Sequence, residues 1–505
     1  MSDGLEDDAL TRPLEGAAET TASEGATSPA VGRDEWVARH GEHVVRRSGR
    51  IGEAEQRLRA LPWWVWLTFF ILLASLVPVV SESGYIRRVS FDIVLYMLLA
   101  LGLNVVVGWG GLLDLGYIAF YGVGAYAYAA LASDQFGVHL PSYLAIPIVV
   151  VIGAIAGLLV GLPSWRLVGD YLAIVTLFFF QAFIVFVTNS DDVSGHNVFG
   201  GASGISTVDP LNAFGHELAV ANLGIFNVAY LYVALGVFAV VYVALHLVND
   251  SRTGRAWRSL REDPLAANLM GMPVNWLKLM AFMFGAAAAA LTGSLFASLN
   301  GGVYPTTFAF PLLITVYTMV ILGGAGRQAG VVLGAIIVGV LLETLRDAND
   351  AQYVFYALVL IGLVGALRFS RRLAAVLGGA IVLGAVIHVV AGAIDSSWID
   401  GSTAGGGWLG DVLKHWTVVP TNLAEWVKPV SYVGLIASLL LLTLVRDRLR
   451  MVLLVPVLVL ASFVWENVML PDPASTRYVV LGAILIATMI ARPTGLLGER
   501  RVEIL

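Results

Sequence analysis

The feature that most constrains this chain is a series of apolar runs, each long enough to cross a lipid bilayer. Residues 145–162, for example, would be apolar on every side of a helix. A bilayer core of about 30 Å needs about 20 apolar residues per spanning helix, and a spanning helix satisfies its own backbone hydrogen bonds. Because 58% of the residues are apolar and 13% are charged, the sequence predicts an all-α, polytopic helical transmembrane bundle.

The breaks between the apolar runs predict about 14 spans. Charged residues, glycines and prolines mark these breaks. The predicted spans are residues 62–80, 90–108, 111–132, 143–162, 171–188, 226–248, 277–299, 311–323, 330–345, 352–367, 373–394, 431–445, 451–465 and 478–491.

The distribution of Lys and Arg predicts the orientation of these spans. Cytoplasmic loops of membrane proteins are enriched in positive charge, and an inside amino terminus places 24 of the 30 Lys and Arg residues on the inner side. Both termini are therefore predicted to be cytoplasmic. Two predicted outer segments, 189–225 and 300–310, contain no Lys or Arg.

The sequence lacks the residue patterns of several kinds of functional site. The chain has no cysteine, and its histidines are scattered, so neither a metal site nor a catalytic site is predicted. The glycine-rich stretch 108–124 lacks the Gly-Lys-Ser/Thr ending of a phosphate-binding loop. A net charge of −6 gives no indication of a nucleic-acid partner.

The predicted inner loop between the sixth and seventh spans contains the signature of a short helix. Asp263 suits the position before the first turn, Pro264 suits the first turn, and Gly271 suits the left-handed residue after the last turn. These residues predict a helix from Pro264 to Met270.

One face of this predicted helix is apolar. Leu265 and Leu269 are four residues apart and therefore lie on the same side. Two interpretations follow from the residues alone: the helix lies on its own protein, or it offers a small apolar surface to a cytoplasmic partner.

The residues from Arg261 to Gly271 resemble the Glu-Ala-Ala…Gly cytoplasmic loop of ABC importer permeases, in the variant found in branched-chain amino acid permeases. Four further motifs resemble the M-type permease subunit in order and spacing. They are residues 101–126, 169–177, 320–327 and 491–498. The resemblance covers roughly residues 85–370 and 478–498.

This resemblance implies that the loop is a coupling helix that docks into a cytoplasmic ATPase. Small side chains would permit close approach, a glycine would permit the turn, and charges would set the register of docking. The implied contact residues are Arg258, Glu262, Asp263, Ala266, Ala267 and Gly271.

The function implied by the resemblance is that of a permease subunit of an ATP-driven importer in the bacterial inner membrane, working by alternating access. The expected substrates are branched-chain or other hydrophobic amino acids, and the alternatives are urea or short amides. An independent secondary transporter and a membrane-embedded enzyme are competing classes, disfavoured by the absence of paired charges and of clustered ionisable residues within the spans.

The resemblance also implies the partners. They are two cytoplasmic ABC ATPase subunits, a homologous H-type permease subunit, and an extracytoplasmic binding protein that delivers substrate to the surfaces 189–225 and 300–310. The partner ATPases would use the ATP, so no cofactor is expected in this chain.

Two interpretations of the glycine-rich stretch 108–124 stay open. Its glycines could permit close helix packing, as those at 153, 157 and 161 are expected to do, or they could form a broken helix beside the substrate path. The polar residues here are candidate pathway residues, the alternative being a satisfied interhelical cluster. They are Asn104, Asp114, Tyr117 and Tyr121, of which the last three are predicted to share a helical face.

The domain organisation follows from these assignments. Residues 1–61 form a predicted cytoplasmic tail, largely disordered with a surface helix as an option, and 62–369 form the permease core, with the coupling loop at 249–276. Extra spans and an external loop are predicted for 370–477, followed by a final span and cytoplasmic carboxyl terminus at 478–505.

Overall fold

The computed structural model describes most of the predicted membrane region. The described residues are 62–81, 83–165, 170–192, 197–213, 216–217, 228–367, 370–403, 405–445 and 447–498. The predicted tail at 1–61 lies outside them, as does part of the loop 189–225. The chain divides into units 1–66 and 67–505. Within the first unit the described residues are 62–66, which form the start of the first helix, and the contacts and sites discussed below belong to the second unit.

The apolar runs fold as helices. Those before the coupling loop are α1 (Trp63–Val80), α2 (Gly84–Leu103), α3 (Tyr117–Leu131), α4 (Ser142–Gly161), α5 (Asp170–Thr188) and α6 (Val228–Asp250). The coupling loop contains α7 (Arg252–Glu262) and α8 (Pro264–Leu269). The helices after it are α9 (Val274–Asn300), α10 (Phe310–Gly323), α11 (Gln328–Thr344), α12 (Ala348–Leu367), α13 (Arg371–Ile394), α14 (Gly407–Lys414), α15 (Val427–Leu444), α16 (Asp447–Val464) and α17 (Pro473–Ala491).

Each predicted span overlaps one of these helices. Within the described residues, 11 helices are long and apolar enough to cross a membrane, which confirms the predicted helical transmembrane bundle. Three predicted spans form shorter helices, α3, α10 and α11. Since a 15-residue helix is only about 22 Å long, the total of 14 complete crossings and the location of the termini stay predictions.

Helix α9 lies at the centre of the bundle, where small residues bring α4 close to it. A Cβ atom added to Gly157 of α4 would lie 2.6 Å from the Ala286 Cβ and 2.6 Å from the Phe282 carbonyl oxygen. Gly153 makes a similarly close approach to Ala290. The packing interpretation of these glycines is therefore confirmed.

The chain between α2 and α3 is not a continuous helix. A π-helical segment, Asn104–Trp109, follows α2, and residues 110–116 are irregular before α3 begins. Gly111 has a φ of 65°, which a glycine adopts without strain. The first half of the glycine-rich stretch is a broken helix, and Gly124 in its second half packs tightly against Ala290 of α9. The location of the break beside a substrate path stays a prediction.

Short strands join the loops on the face opposite the coupling loop. Strand β1 (Ala132–Ser133) pairs with β2 (Val138–His139), β3 (Ile205–Ser206) with β6 (Gly302–Val303), and β4 (Asn212–Ala213) with β5 (His216–Glu217). The β3–β6 pair connects the two predicted outer segments that lack Lys and Arg. The described parts of the two segments are therefore held together by backbone pairing.

The chain after residue 345 builds a second, smaller packing centre. Here Phe355 of α12 stacks on Trp465 with ring centroids 4.1 Å apart. Gln352 Nε2 donates to both oxygens of the buried Glu466, at 3.0 Å each. Helix α12 thus packs with the segment 370–477. That this segment is an addition to the permease core stays a prediction.

The residues after α17 form backbone hydrogen bonds with the end of α10. Leu496 N donates to Leu322 O at 2.8 Å, and Leu497 N donates to Gly323 O at 3.1 Å. The closing motif at 491–498 is therefore anchored to the end of α10.

We expect Gly157→Val to lower the free energy of unfolding in detergent by about 1–3 kcal/mol, as overpacking of a close contact typically does. The matched control is Gly236→Val in α6, because an added Cβ at Gly236 meets nothing within 4 Å. Equal losses for the two variants would contradict the proposed role of the α4–α9 contact.

Candidate functional site

The coupling loop is organised by two helix caps. The Ser251 side chain accepts a hydrogen bond from Gly254 N at the start of α7. Asp263 Oδ1 accepts from Leu265 N at 2.8 Å and from Ala266 N at 3.0 Å at the start of α8. Gly271 has a φ of 79°. The predicted caps are confirmed, and α8 ends one residue earlier than predicted, at Leu269.

Helix α8 presents an apolar surface on the exterior of the described protein. Leu265, Leu269 and Met270 are 68%, 79% and 81% exposed. We call these three residues the apolar knob. The face shared by Leu265 and Leu269 is therefore solvent-accessible, as one of the two interpretations of this helix requires.

The implied contact residues do not all face outward. Arg258, Glu262, Asp263, Ala266 and Gly271 are exposed, whereas Ala267 is buried at 4% exposure. Met272 N donates to the Ala267 carbonyl oxygen at 3.1 Å. The small side chain at 267 therefore packs within this protein. It holds α8 in place and is not available for side-chain contact with a partner in this conformation.

Helix α7 contacts the broken helix, defined as the π-helical segment Asn104–Trp109 and the irregular residues 110–116. Two side chains make this contact. Arg261 Nη1 donates to the Gly108 carbonyl oxygen at 2.6 Å. Trp257, which is fully buried, stacks on Trp109 with ring centroids 6.1 Å apart and an angle of 19°. The coupling loop is thus in direct contact with the π-helical segment.

The same segment binds the turn between α10 and α11. Trp109 Nε1 donates to Gly326 O at 2.9 Å, and Gly326 N donates to Asn104 Oδ1 at 2.7 Å. Gly326 has a φ of 101°, and a Cβ there would lie 2.5 Å from Arg261 Nη1. The turn requires glycine for its backbone conformation and for its closeness to the arginine.

Asp114 lies in the irregular backbone and is completely buried. Its backbone N donates to the Tyr317 hydroxyl at 3.1 Å, and that hydroxyl donates to Asp114 O at 2.7 Å. Asp114 Oδ1 accepts from Gly116 N at 2.8 Å. The nearby Thr176 hydroxyl accepts from Leu115 N and donates to Ala173 O.

One buried polar atom of this region, Asn104 Nδ2, has no hydrogen-bond partner among the described residues. A buried polar group without a partner typically costs about 1–3 kcal/mol, so such groups are uncommon and need an explanation. The Asp114 carboxylate, in contrast, accepts from Gly116 N and has the Thr176 hydroxyl as a second partner. The assignment of these residues to the substrate path therefore stays a prediction.

The prediction that Asp114, Tyr117 and Tyr121 share a helical face is wrong. Asp114 precedes the helix, because α3 begins at Tyr117. The Tyr117 hydroxyl donates to Leu99 O at 2.8 Å, and the Tyr121 ring packs edge-on against Phe308 at 5.2 Å. The partner of Asp114 is Tyr317, which no local pattern could identify, because it lies 203 positions away along the chain.

A charged contact fixes the loops on the opposite face. His139 Nδ1 lies 2.7 Å from Asp209 Oδ2, and His139 Nε2 lies 3.4 Å from Asp134 Oδ1. The hydrogen bond and negative charge of Asp209 raise the pKa of His139. A protonated His139 therefore strengthens the connection between the β1–β2 hairpin and the 205–211 segment at low pH.

A family model described as "Branched-chain amino acid transport system / permease component" matches residues 85–367. The high-affinity branched-chain amino acid transport system permease protein LivM of Salmonella typhimurium is 36% identical over 58% of this chain and 70% of its own length. No solved structure gives a significant match.

Two more distant relatives are also similar. The probable branched-chain amino acid transport permease protein LivM of Methanocaldococcus jannaschii is 27% identical over 52% of this chain and 75% of its own length. The LivH permease protein of Salmonella typhimurium is 25% identical over 53% of this chain and 88% of its own length.

We expect Tyr317→Phe to lower the free energy of unfolding by about 1–3 kcal/mol, because it removes the hydroxyl shared by both backbone groups of buried Asp114. The control is Tyr304→Phe, because Tyr304 is 45% exposed and loss of its hydroxyl leaves no buried group unpaired among the described residues. Denaturant titration in detergent measures both. A neutral Tyr317→Phe variant would show that the contact does not hold the irregular backbone.

Proposed function

This chain belongs to the family of branched-chain amino acid transport system permease components, and on that premise we propose that it is the membrane-spanning subunit of an ATP-driven amino acid importer. It is a multi-pass inner-membrane protein, as its apolar helices and its relatives indicate. The observation that carries the proposal is the coupling loop: an exposed apolar knob continuous with side chains that contact a broken helix inside the bundle.

The apolar knob suits a docking contact. Apolar residues in water gain free energy when a partner covers them, about 25 cal/mol per Å² of buried apolar surface. Arg258 and Glu262 are exposed on the adjoining helix α7, and such charges favour one docking register over others. A cytoplasmic ATPase with a complementary groove is the partner implied by the family resemblance.

Movement of α8 would reach the broken helix through rigid contacts. Helix α7 would move together with α8, because Asp263 is both the last cap of α7 and the first cap of α8. Trp257 and Arg261 of α7 would then displace Trp109 and Gly108. Since the π-helical segment and residues 110–116 lack the regular i→i+4 hydrogen bonds of an α-helix, we expect them to change conformation at lower cost than an intact α-helix.

In this mechanism, ATP binding closes two partner ATPases, α8 moves with them, and the broken helix alternates between inward- and outward-open arrangements. The partnerless Asn104 Nδ2 would acquire a partner in the other arrangement. Asp114, Asn104, Tyr117 and Tyr121 stay candidate pathway residues, with Tyr317 added.

The substrate and remaining partners are inferred from the relatives. The names of the LivM proteins support branched-chain amino acids as substrates. Similarity to a LivH protein supports a homologous second permease subunit beside this chain. An extracytoplasmic binding protein would dock on the surface joined by β3 and β6.

Purification of the tagged full-length chain from its native membrane tests the assembly. Two ATPase chains and a sister permease should accompany it, and the reconstituted complex with its binding protein should accumulate leucine only with ATP. Leucine transport by this chain alone under an ion gradient would contradict the proposal.

We expect Leu269→Asp to reduce ATP-dependent uptake at least tenfold, because it places a charge in the centre of the proposed docking contact. The uptake assay in proteoliposomes measures this effect, and the amount of inserted chain should be unchanged.

The matched control is Asn268→Asp. Asn268 lies on the same helix and is also exposed, so the control adds the same charge without removing apolar surface. Equal uptake by the two variants would show that the knob does not form the docking contact.

A further inference from the structure

A cleft of about 260 Å³ opens on the face opposite the coupling loop. It lies among the ends of α2, α10, α11 and α17. Its lining includes both signs of charge, with Asp92 on α2, Glu343 on α11 and Arg477 on α17. None of these three residues belongs to the contact network of the broken helix.

The two carboxylates are held by neighbouring side chains. Asp92 Oδ2 lies 3.2 Å from Arg88 Nε, and Glu343 Oε1 accepts from Arg346 Nη1 at 3.2 Å. The Tyr85 hydroxyl also donates to Glu343. A carboxylate can accept about four hydrogen bonds, so each retains acceptor capacity for a further donor.

Arg477 is different, because it makes no ion pair with an acidic side chain in the described part of the chain. Its Nε donates to the Pro473 carbonyl oxygen at 3.3 Å, and the side chain is half-buried. A guanidinium group binds a carboxylate through two parallel hydrogen bonds. Arg477 therefore lacks the kind of partner that it binds best.

The remaining wall of the cleft combines aliphatic side chains with threonines and tyrosines. It includes Ile93, Leu312 and Leu342, which suit an aliphatic side chain. The buried Thr315 also lines the cleft, two positions before Tyr317 on α10.

The cleft also lies near a predicted pathway residue. The Tyr121 ring of α3 packs against Phe308, and the neighbouring residues Thr307 and Ala309 line the cleft. The cleft is therefore adjacent to the candidate pathway on two sides, through α10 and through α3.

We propose that this cleft binds a zwitterionic amino acid with an aliphatic side chain. Arg477 binds the carboxylate, Asp92 and Glu343 accept from the ammonium group, and the aliphatic residues of the lining contact the side chain. This inference rests on the proposed importer function and assigns it an outward-facing substrate site.

The absence of cysteine from the chain allows a direct test. Leu312→Cys places a single thiol in the cleft, and Trp408→Cys places one at an exposed position of α14 as a control. The full assembly in membrane vesicles is treated with a methanethiosulfonate reagent, with and without leucine. Leucine should slow labelling at 312 and leave labelling at 408 unchanged.

Arg477→Ala in the Leu312→Cys background should raise the leucine concentration for half-protection by roughly 10- to 100-fold, the effect of losing a charged hydrogen bond. Arg477→Lys should give an intermediate value. Arg371→Ala removes an exposed arginine from α13 and should have no effect.

The outcomes separate this proposal from the importer function. ATP-dependent leucine uptake without any protection at 312 would overturn the cleft assignment and leave the importer intact. Protection that depends on phosphatidylethanolamine in the vesicles, and not on leucine, would assign the cleft to a lipid headgroup and also overturn it. Loss of ATP-dependent uptake in the unsubstituted chain would instead contradict the importer function.

Discussion

The structure depends on how the chain satisfies backbone polar groups where α2 breaks. In a bilayer, irregular backbone persists only where protein or water replaces the missing helical hydrogen bonds. Here Arg261 donates to the Gly108 carbonyl, Tyr317 binds both backbone groups of Asp114, and Asn104 within the break accepts from Gly326 N. Arg261, Tyr317 and Gly326 come from three different parts of the chain. The break therefore joins the coupling loop, the α10–α11 turn and the centre of α10.

Close helix packing supplies the rigid frame around this break. Glycines and alanines bring α4 and α3 against α9, so that small displacements at one end of a helix are transmitted along it. The closing motif after α17 secures the α10–α11 turn from the other side, through Leu496 and Leu497. The broken segment is thus a deformable element between tightly packed ones, the arrangement that a gated pathway requires.

Local patterns predicted the local features well. The caps at Asp263 and Gly271 could be recognised because capping depends on residues within one turn, and the bundle could be recognised because apolar length is a property of each segment. The burial of Ala267 could not be predicted, since it depends on the position of the loop against the bundle. The helical face assigned to Asp114 failed because the glycines around it delay the start of α3 to Tyr117. The Asp114–Tyr317 contact and the opposite-face cleft both join helices that are distant in sequence.

The central claim is that movement of the coupling loop reaches the broken helix through α7. Spin labels on Asn268→Cys and Leu113→Cys, both exposed positions in a cysteine-free chain, allow the distance between them to be measured by pulsed electron paramagnetic resonance. The ATP-bound complex should show a distance distribution different from that of the nucleotide-free complex, and Arg261→Ala should reduce that difference while ATP hydrolysis continues. An ATP-dependent change of the same size in Arg261→Ala would contradict transmission through this contact.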